Sequence, residues 1–235
     1  EAACRHALEQ APDHSGSRCN VGTWRCRQRR PQEAAARYRD ATVAHTGFVG
    51  AWIKLGMMML ELQDFAQSAS AFQRAVELQP DAAQAWQGLG RARQSLGDLE
   101  AAVAALQHAT RLSPADSSPW VDLGATLQLL GRLEEAVASF EQALRHGERN
   151  PAVADTINGL LANLGRTDEA IDQGRRLVLA HPQYVPGQLK LAHLLWAKAG
   201  KPDSGEDPFS LIRAAARQQP DNRALQMEFI GLLIE

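Results

Sequence analysis

The sequence predicts an all-α solenoid of antiparallel helix pairs built on a 34-residue repeat, and three observations predict it. Trp52, Trp86 and Trp120 stand 34 residues apart. The same step carries Val21, Leu55, Leu89, Leu123, Ile157 and Leu191, and beside them Gly22, Gly56, Gly90 and Gly124, before that column slips to Asn158 and Ala192. Ala7, Ala41, Ala75, Ala109 and Ala143 repeat on this interval too, as do Pro12, Pro80, Pro114 and Pro182. Self-similarity at one fixed period of a few tens of residues marks stacked supersecondary units, each too small to bury its apolar face alone.

Counting each repeat from residues 49, 83, 117, 151 and 185, positions 4, 7, 8 and 11 share one face of a helix at about 100° per residue. Tryptophan and leucine on that face fill the space against a second helix. Glycine at position 8 and alanine at positions 20 and 27 permit close approach. The two helices of a unit are separated at Gly97-Asp98, Gly131-Arg132 and Gly165-Arg166, where glycine supplies the left-handed residue that ends a helix. Proline after the second helix forbids its continuation, and Pro80-Asp81, Pro114-Ala115-Asp116 and Pro220-Asp221-Asn222 offer caps for the next one.

The units are expected at 15–48, 49–82, 83–116, 117–150, 151–184 and 185–222, as one array over 1–235. Residues 1–14 read as the second helix of an earlier unit, with Ala7 and Pro12 in register, and residues 223–235 as a terminal helix. The first unit is degenerate, with Arg18 and Arg25 at apolar positions. The sixth carries four extra residues, placed in the loop 200–208, because Ala215 and Pro220 return late by that amount. Helix breaks are expected near 80–82, 114–117, 147–151 and 182–186.

The columns closely resemble those of the tetratricopeptide-repeat (TPR) family, which places tryptophan, leucine-glycine and tyrosine on its first helix, then alanine, phenylalanine, alanine and proline on and after its second. One unit reads Trp52, Leu55-Gly56, Met59, Ser68, Phe72, Ala75, Pro80; the next Trp86, Leu89-Gly90, Arg93, Ala102, Leu106, Ala109, Pro114; the third Trp120, Leu123-Gly124, Leu127, Ala136, Phe140, Ala143. The resemblance implies a superhelical solenoid of about six units plus partial terminal helices. It also implies a concave groove lined by the first helices, and no catalysis.

Composition removes other classes. A formal net charge of −2 gives no global field toward nucleic acid or an anionic membrane. No apolar run approaches the roughly 20 residues that span a bilayer. Cys4, Cys19 and Cys26 contain no CxxC pair, and Cys19 and Cys26, seven residues apart on one expected helix, are too far separated for a disulfide. An odd count suits a reducing compartment, so a cytoplasmic location is expected. The start at Glu1-Ala2-Ala3-Cys4-Arg5 has neither an initiator methionine nor a signal pattern, so the natural chain is expected to begin earlier. The chain holds no HExxH, GxSxG or P-loop, and Gly88-Leu89-Gly90 lies inside a helix rather than in a dinucleotide loop. The seven histidines are scattered without metal-ligand spacing, and no cofactor is implied. The basic stretch Arg25 to Arg30 lacks interleaved aromatics beyond Trp24 and reads as a solvated turn.

What remains is the groove. Positions 2, 5, 9 and 12 point away from the packing face, and the last three supply Ile53, Met57 and Leu60, then Gln87, Arg91 and Gln94. Further along they give Val121, Ala125 and Gln128, next Asp155, Gly159 and Ala162, and finally Leu189, His193 and Trp196. Apolar residues on such a face are a binding signal, and Met57 is of the adaptable kind. The chaperone-tail clamp of some TPR proteins is absent, since positions 5 and 9 give Ile53-Met57, Gln87-Arg91 and Val121-Ala125 in place of its lysine and asparagine. The asparagine ladder of the sugar-transferase TPR domains stops after Asn20, its column continuing as Lys54, Gly88, Asp122, Thr156 and Lys190.

The expected function is a protein- or peptide-binding scaffold, not an enzyme. Its expected groove residues are Ile53, Met57, Leu60, Gln87, Arg91, Gln94, Val121, Asp155, His193 and Trp196. The rival is the TPR arm of a larger enzyme of glycosyltransferase, sulfotransferase or oxygenase type whose catalytic domain lies beyond Glu235. A third reading is self-association through terminal helices. The apolar face of Met227 to Glu235 motivates both the continuation of the chain and the oligomer, since repeat arrays end on a polar cap.

Overall fold

Helices break where glycine or proline is spaced to break them, and once, at Leu62-Gln63-Asp64, without either. The computed structural model describes residues 31–199 and 208–218, which form helices joined by short turns, with no strand among the described residues. In order these are α1 (Pro31–Ala44), α2 (Val49–Glu61), α3 (Phe65–Leu78), α4 (Ala83–Ser95), α5 (Leu99–Leu112), α6 (Ser117–Leu129), α7 (Leu133–Arg145), α8 (Pro151–Asn163), α9 (Thr167–Ala180), α10 (Val185–Ala199) and α11 (Pro208–Gln218). All four expected inter-unit breaks are observed. The expected partial unit 1–14, the three cysteines, the basic stretch, the loop 200–207 and the terminal helix 223–235 lie outside the described residues.

The chain divides into two compact units, Glu1–Gly131 and Arg132–Glu235. In the first, each of α1 to α6 packs on its sequence neighbours, and α4 also meets the first helices α2 and α6 on either side. In the second, α7 to α11 do the same, and α8 meets α10. Within each unit, short turns fold neighbouring helices back against one another.

The turn inside each unit depends on one backbone conformation. Gly97, Gly131 and Gly165, all at position 15, have φ of +81°, +76° and +74°. Gln63 holds the same place with φ +60°, a left-handed conformation that an ordinary side chain occupies at a cost. The caps are mixed. Asp116 accepts from the amide of Ser118 at 3.0 Å, Asn150 from that of Ala152 at 3.0 Å, and Asp64 from that of Gln67 at 3.1 Å. The cap expected from Asp81 is not formed: the capping place of α4 falls one residue later, on Ala82, which has no side-chain acceptor.

Packing within the repeat refines the small-residue columns. Ser68, Ala102, Ala136 and Ala170 at position 20 are fully buried, as are Ala75, Ala109 and Ala143 at position 27. The position-8 glycine makes room for the large side chain at position 24. A Cβ on Gly56 would lie 2.8 Å from the Phe72 ring, and one on Gly90 2.5 Å from Leu106. Phe72 also presses on the next unit, where a Cβ on Gly88 would lie 2.3 Å away. The unit that starts at Pro151 reverses the exchange: Asn158 takes the glycine place and Gly174 the large one. Asn158 is fully buried, and neither atom of its amide finds a hydrogen-bond partner among the described residues.

The tryptophans correct an expectation. They are half-buried at the margin of the core rather than inside it. Each clamps the loop before its helix, the indole Nε1 donating to the carbonyl six residues earlier. Trp52 reaches Thr46 at 2.9 Å, Trp86 reaches Pro80 at 2.8 Å and Trp120 reaches Pro114 at 3.0 Å. Gln188, at the same repeat position, donates to Pro182 at 2.6 Å and preserves the clamp without the ring.

Candidate functional site

Each unit has its own candidate face, set by α2, α4 and α6 in the first and by α8 and α10 in the second. On α2, Met57 is 40% exposed, with its sulfur 4.0 Å from Gln84 Nε2. Ile53 and Leu60 are half-buried instead, packed against the cluster of Phe72, Ala75, Val76, Ala85 and Leu89. Their apolar character therefore serves the joint between repeats as well as the face. Arg91 on α4 is exposed, whereas Gln87, Gln94 and Val121 are half-buried.

Position 5 has a lateral job. Gln87 Nε2 donates to both Ser118 Oγ and Asp122 Oδ2, each at 2.7 Å, and so ties α4 to α6. Asp122 is half-buried on α6. Burial pushes its carboxyl above the usual carboxylate range, and the hydrogen bond from Gln87 and the charge of Arg91 oppose that shift without cancelling it. A partly desolvated carboxylate beside an exposed guanidinium leaves the arginine as the outward-facing charge.

The second unit repeats the device with other groups. Lys190 Nζ on α10 donates to Asp155 Oδ2 at 2.8 Å and to the Asp155 carbonyl at 3.0 Å. The remaining carboxylate oxygen of Asp155 is buried without a partner among the described residues. In a half-buried pair of this kind desolvation consumes much of the Coulomb gain. His193 is exposed on α10, and Trp196, one turn on, is half-buried.

Sequence reasoning places all of these residues on first helices and misses the partners at position 6. The signal is present in the chain: Gln87 with Asp122, and Asp155 with Lys190, are complementary groups 35 residues apart, one repeat plus one residue. Gly88-Leu89-Gly90 lies within α4, as expected. Among the described residues no three metal-ligating side chains cluster, and no helix is long and apolar enough to cross a membrane.

A family model for the cilia and flagella-associated protein 70 C-terminal domain matches residues 3–227. No curated protein matches the chain by sequence. Several solved structures resemble it. YrrB, a TPR protein with an unusual peptide-binding site, shares 18% identity at a TM-score of 0.65, over 81% of this chain and 96% of that one. MamA shares 20% at 0.66, over 69% and 95%. A thermophilic TPR protein from Thermus thermophilus shares 22% at 0.55, over 77% and 98%. At such identities the likeness shows the fold alone.

Proposed function

Since the chain belongs to the family of the cilia and flagella-associated protein 70 C-terminal domain, a tetratricopeptide-repeat family, we propose that it is a non-catalytic scaffold that holds a protein segment against its first helices. The observation that carries this reading is the contrast between positions 5 and 9. At position 5 Gln87 and Asp155 tie neighbouring first helices together, while position 9 presents Met57, Arg91 and His193 outward. A face braced in advance loses little entropy on binding, which favours affinity. That YrrB has a peptide-binding site on the same fold supports the reading.

The chemistry of the exposed groups names the ligand class. Met57 is a polarizable apolar anchor, and Arg91 a fixed cation on the adjacent helix. They suit an extended or helical segment carrying an aliphatic or aromatic residue and an acidic one. His193 and Trp196 supply the corresponding contacts of the second unit, with Asp155 held by Lys190 beside them, and a cytoplasmic partner belongs to the same proposal. Affinity capture from native lysate with the intact chain, beside a Met57→Asp/Arg91→Glu variant, tests it. A partner retained by the parent and lost by the variant supports the proposal. A partner held equally by both removes it.

A further inference from the structure

The tryptophan column breaks at Ala154, and the break leaves a cavity. Trp52, Trp86 and Trp120 occupy position 4 of their repeats, and Ala154 is the next residue in that column. Trp86 shows what the position needs. Its indole packs against the cluster that includes Val76, and it stacks on the imidazole of His108 with centroids 4.5 Å apart and planes 16° from parallel. Two repeats on, Leu144 stands in the place of Val76, and Arg176 in that of His108. In the second unit these residues line a pocket of about 460 Å³ together with Ala154, Leu177, Arg145 and His181. The volume falls in the range of about 300–1,000 Å³ typical of ligand sites.

The walls and the rim differ in chemistry. Leu177 is 3% exposed and Leu144 half-buried, so the floor is apolar. Arg176 and Arg145 are exposed at the mouth, and Glu141, also lining it, lies 3.7 Å from Arg145, so the rim keeps an excess of positive charge. A guanidinium is planar, and stacks on an aromatic face much as the imidazole of His108 does. We propose that this pocket receives the tryptophan side chain of an acidic partner segment, which fills from outside the place that Trp52, Trp86 and Trp120 fill from within. The indole sits on Leu144 and Leu177 under the Arg176 plane, and a carboxylate beside it meets the arginines. Ala154 lies at position 4, on the packing side of α8, so the site is separate from the first-helix face and goes beyond that proposal.

Isothermal titration calorimetry of the full chain with the capped tripeptide Glu-Trp-Glu, against Glu-Ala-Glu and Lys-Trp-Lys, tests the site. Saturable binding of Glu-Trp-Glu at least about tenfold tighter than either control is expected. Ala154→Trp restores the column from within and should abolish that binding without lowering the thermal midpoint. Should that variant fail to fold, Arg176→Glu at the exposed rim should weaken the same peptide at least about fivefold. Three results overturn the proposal: undiminished binding to the variant that folds, equal affinity for Glu-Trp-Glu and either control, or no saturable binding at millimolar peptide. A concentration-dependent dimer that Ala154→Trp dissolves would overturn it too, by assigning the pocket to a second copy of the chain.

Discussion

Replacing Trp86 with alanine isolates what the tryptophan column contributes. The side chain packs against the Phe72, Val76 and Leu89 cluster, stacks on His108 and donates to the Pro80 carbonyl. A half-buried indole removes roughly 150 Å² of apolar surface from water, worth about 4 kcal/mol at about 25 cal/mol per Å². A compact unfolded chain already hides part of that area, which lowers the figure to about 3 kcal/mol. Stacking adds about 0.5 kcal/mol. The lost hydrogen bond adds little, because Pro80 is exposed and water can replace the donor. Trp86→Ala should therefore destabilise the first unit by about 3–4 kcal/mol, read from urea unfolding followed by far-ultraviolet circular dichroism. Trp86→Phe, which keeps most of the area, should lose about 1 kcal/mol. A loss below about 1 kcal/mol for the alanine variant, at an unchanged slope, would refute the assignment of the tryptophans to inter-repeat packing.

Three further outcomes follow from particular residues. Gln63→Gly should raise stability by about 0.5–1 kcal/mol, the left-handed cost of about 1–2 kcal/mol being partly offset by glycine's entropy, and a fall in the urea midpoint would contradict it. Asn158→Gly and Gly174→Phe should couple favourably by about 0.5–3 kcal/mol in a double-mutant cycle, since a Cβ on Gly174 already lies 3.4 Å from the Asn158 amide and 3.1 Å from Leu191; additive effects would sink the exchange argument. The raised carboxyl of Asp122 means that the folded chain binds its proton more tightly than the unfolded chain. The group therefore costs stability above its folded pKa, and that cost fades as pH falls toward the ordinary carboxylate range. Asp122→Asn should gain stability over the parent at neutral pH, a gain that shrinks in acid, as paired thermal melts across pH would show; a gain constant with pH would refute it.

The fold is legible because a 34-residue period reports packing many times over: one misplaced residue cannot hide eight columns. Helix breaks among the described residues follow from glycine and proline, except at Leu62-Gln63-Asp64, which holds neither. Individual columns are less legible. Gln63 occupies a glycine's backbone conformation with no sign in its own identity, and only alignment with Gly97, Gly131 and Gly165 exposes it. The tryptophan column reads as core because its face is apolar, yet the indole N–H needs an acceptor, and the loop carbonyl six residues back draws it to the margin. Face positions are assigned by angle, which cannot tell an outward side chain from one captured by the next helix. Hence Met57 and Arg91 are exposed, while Gln87 and Asp155 are engaged sideways by Asp122 and Lys190.

The central claim is that the first-helix face binds a protein segment through Met57 and Arg91. The most direct measurement is calorimetric titration of a captured partner into the parent and into the Met57→Ala/Arg91→Ala variant. Both side chains are exposed in the free chain, so the thermal midpoint should stay within about a degree or two of the parent value. The predicted result is a dissociation constant at least about tenfold weaker, roughly 1.4 kcal/mol, with folding intact. A dissociation constant unchanged in a variant that folds as the parent does would contradict the account.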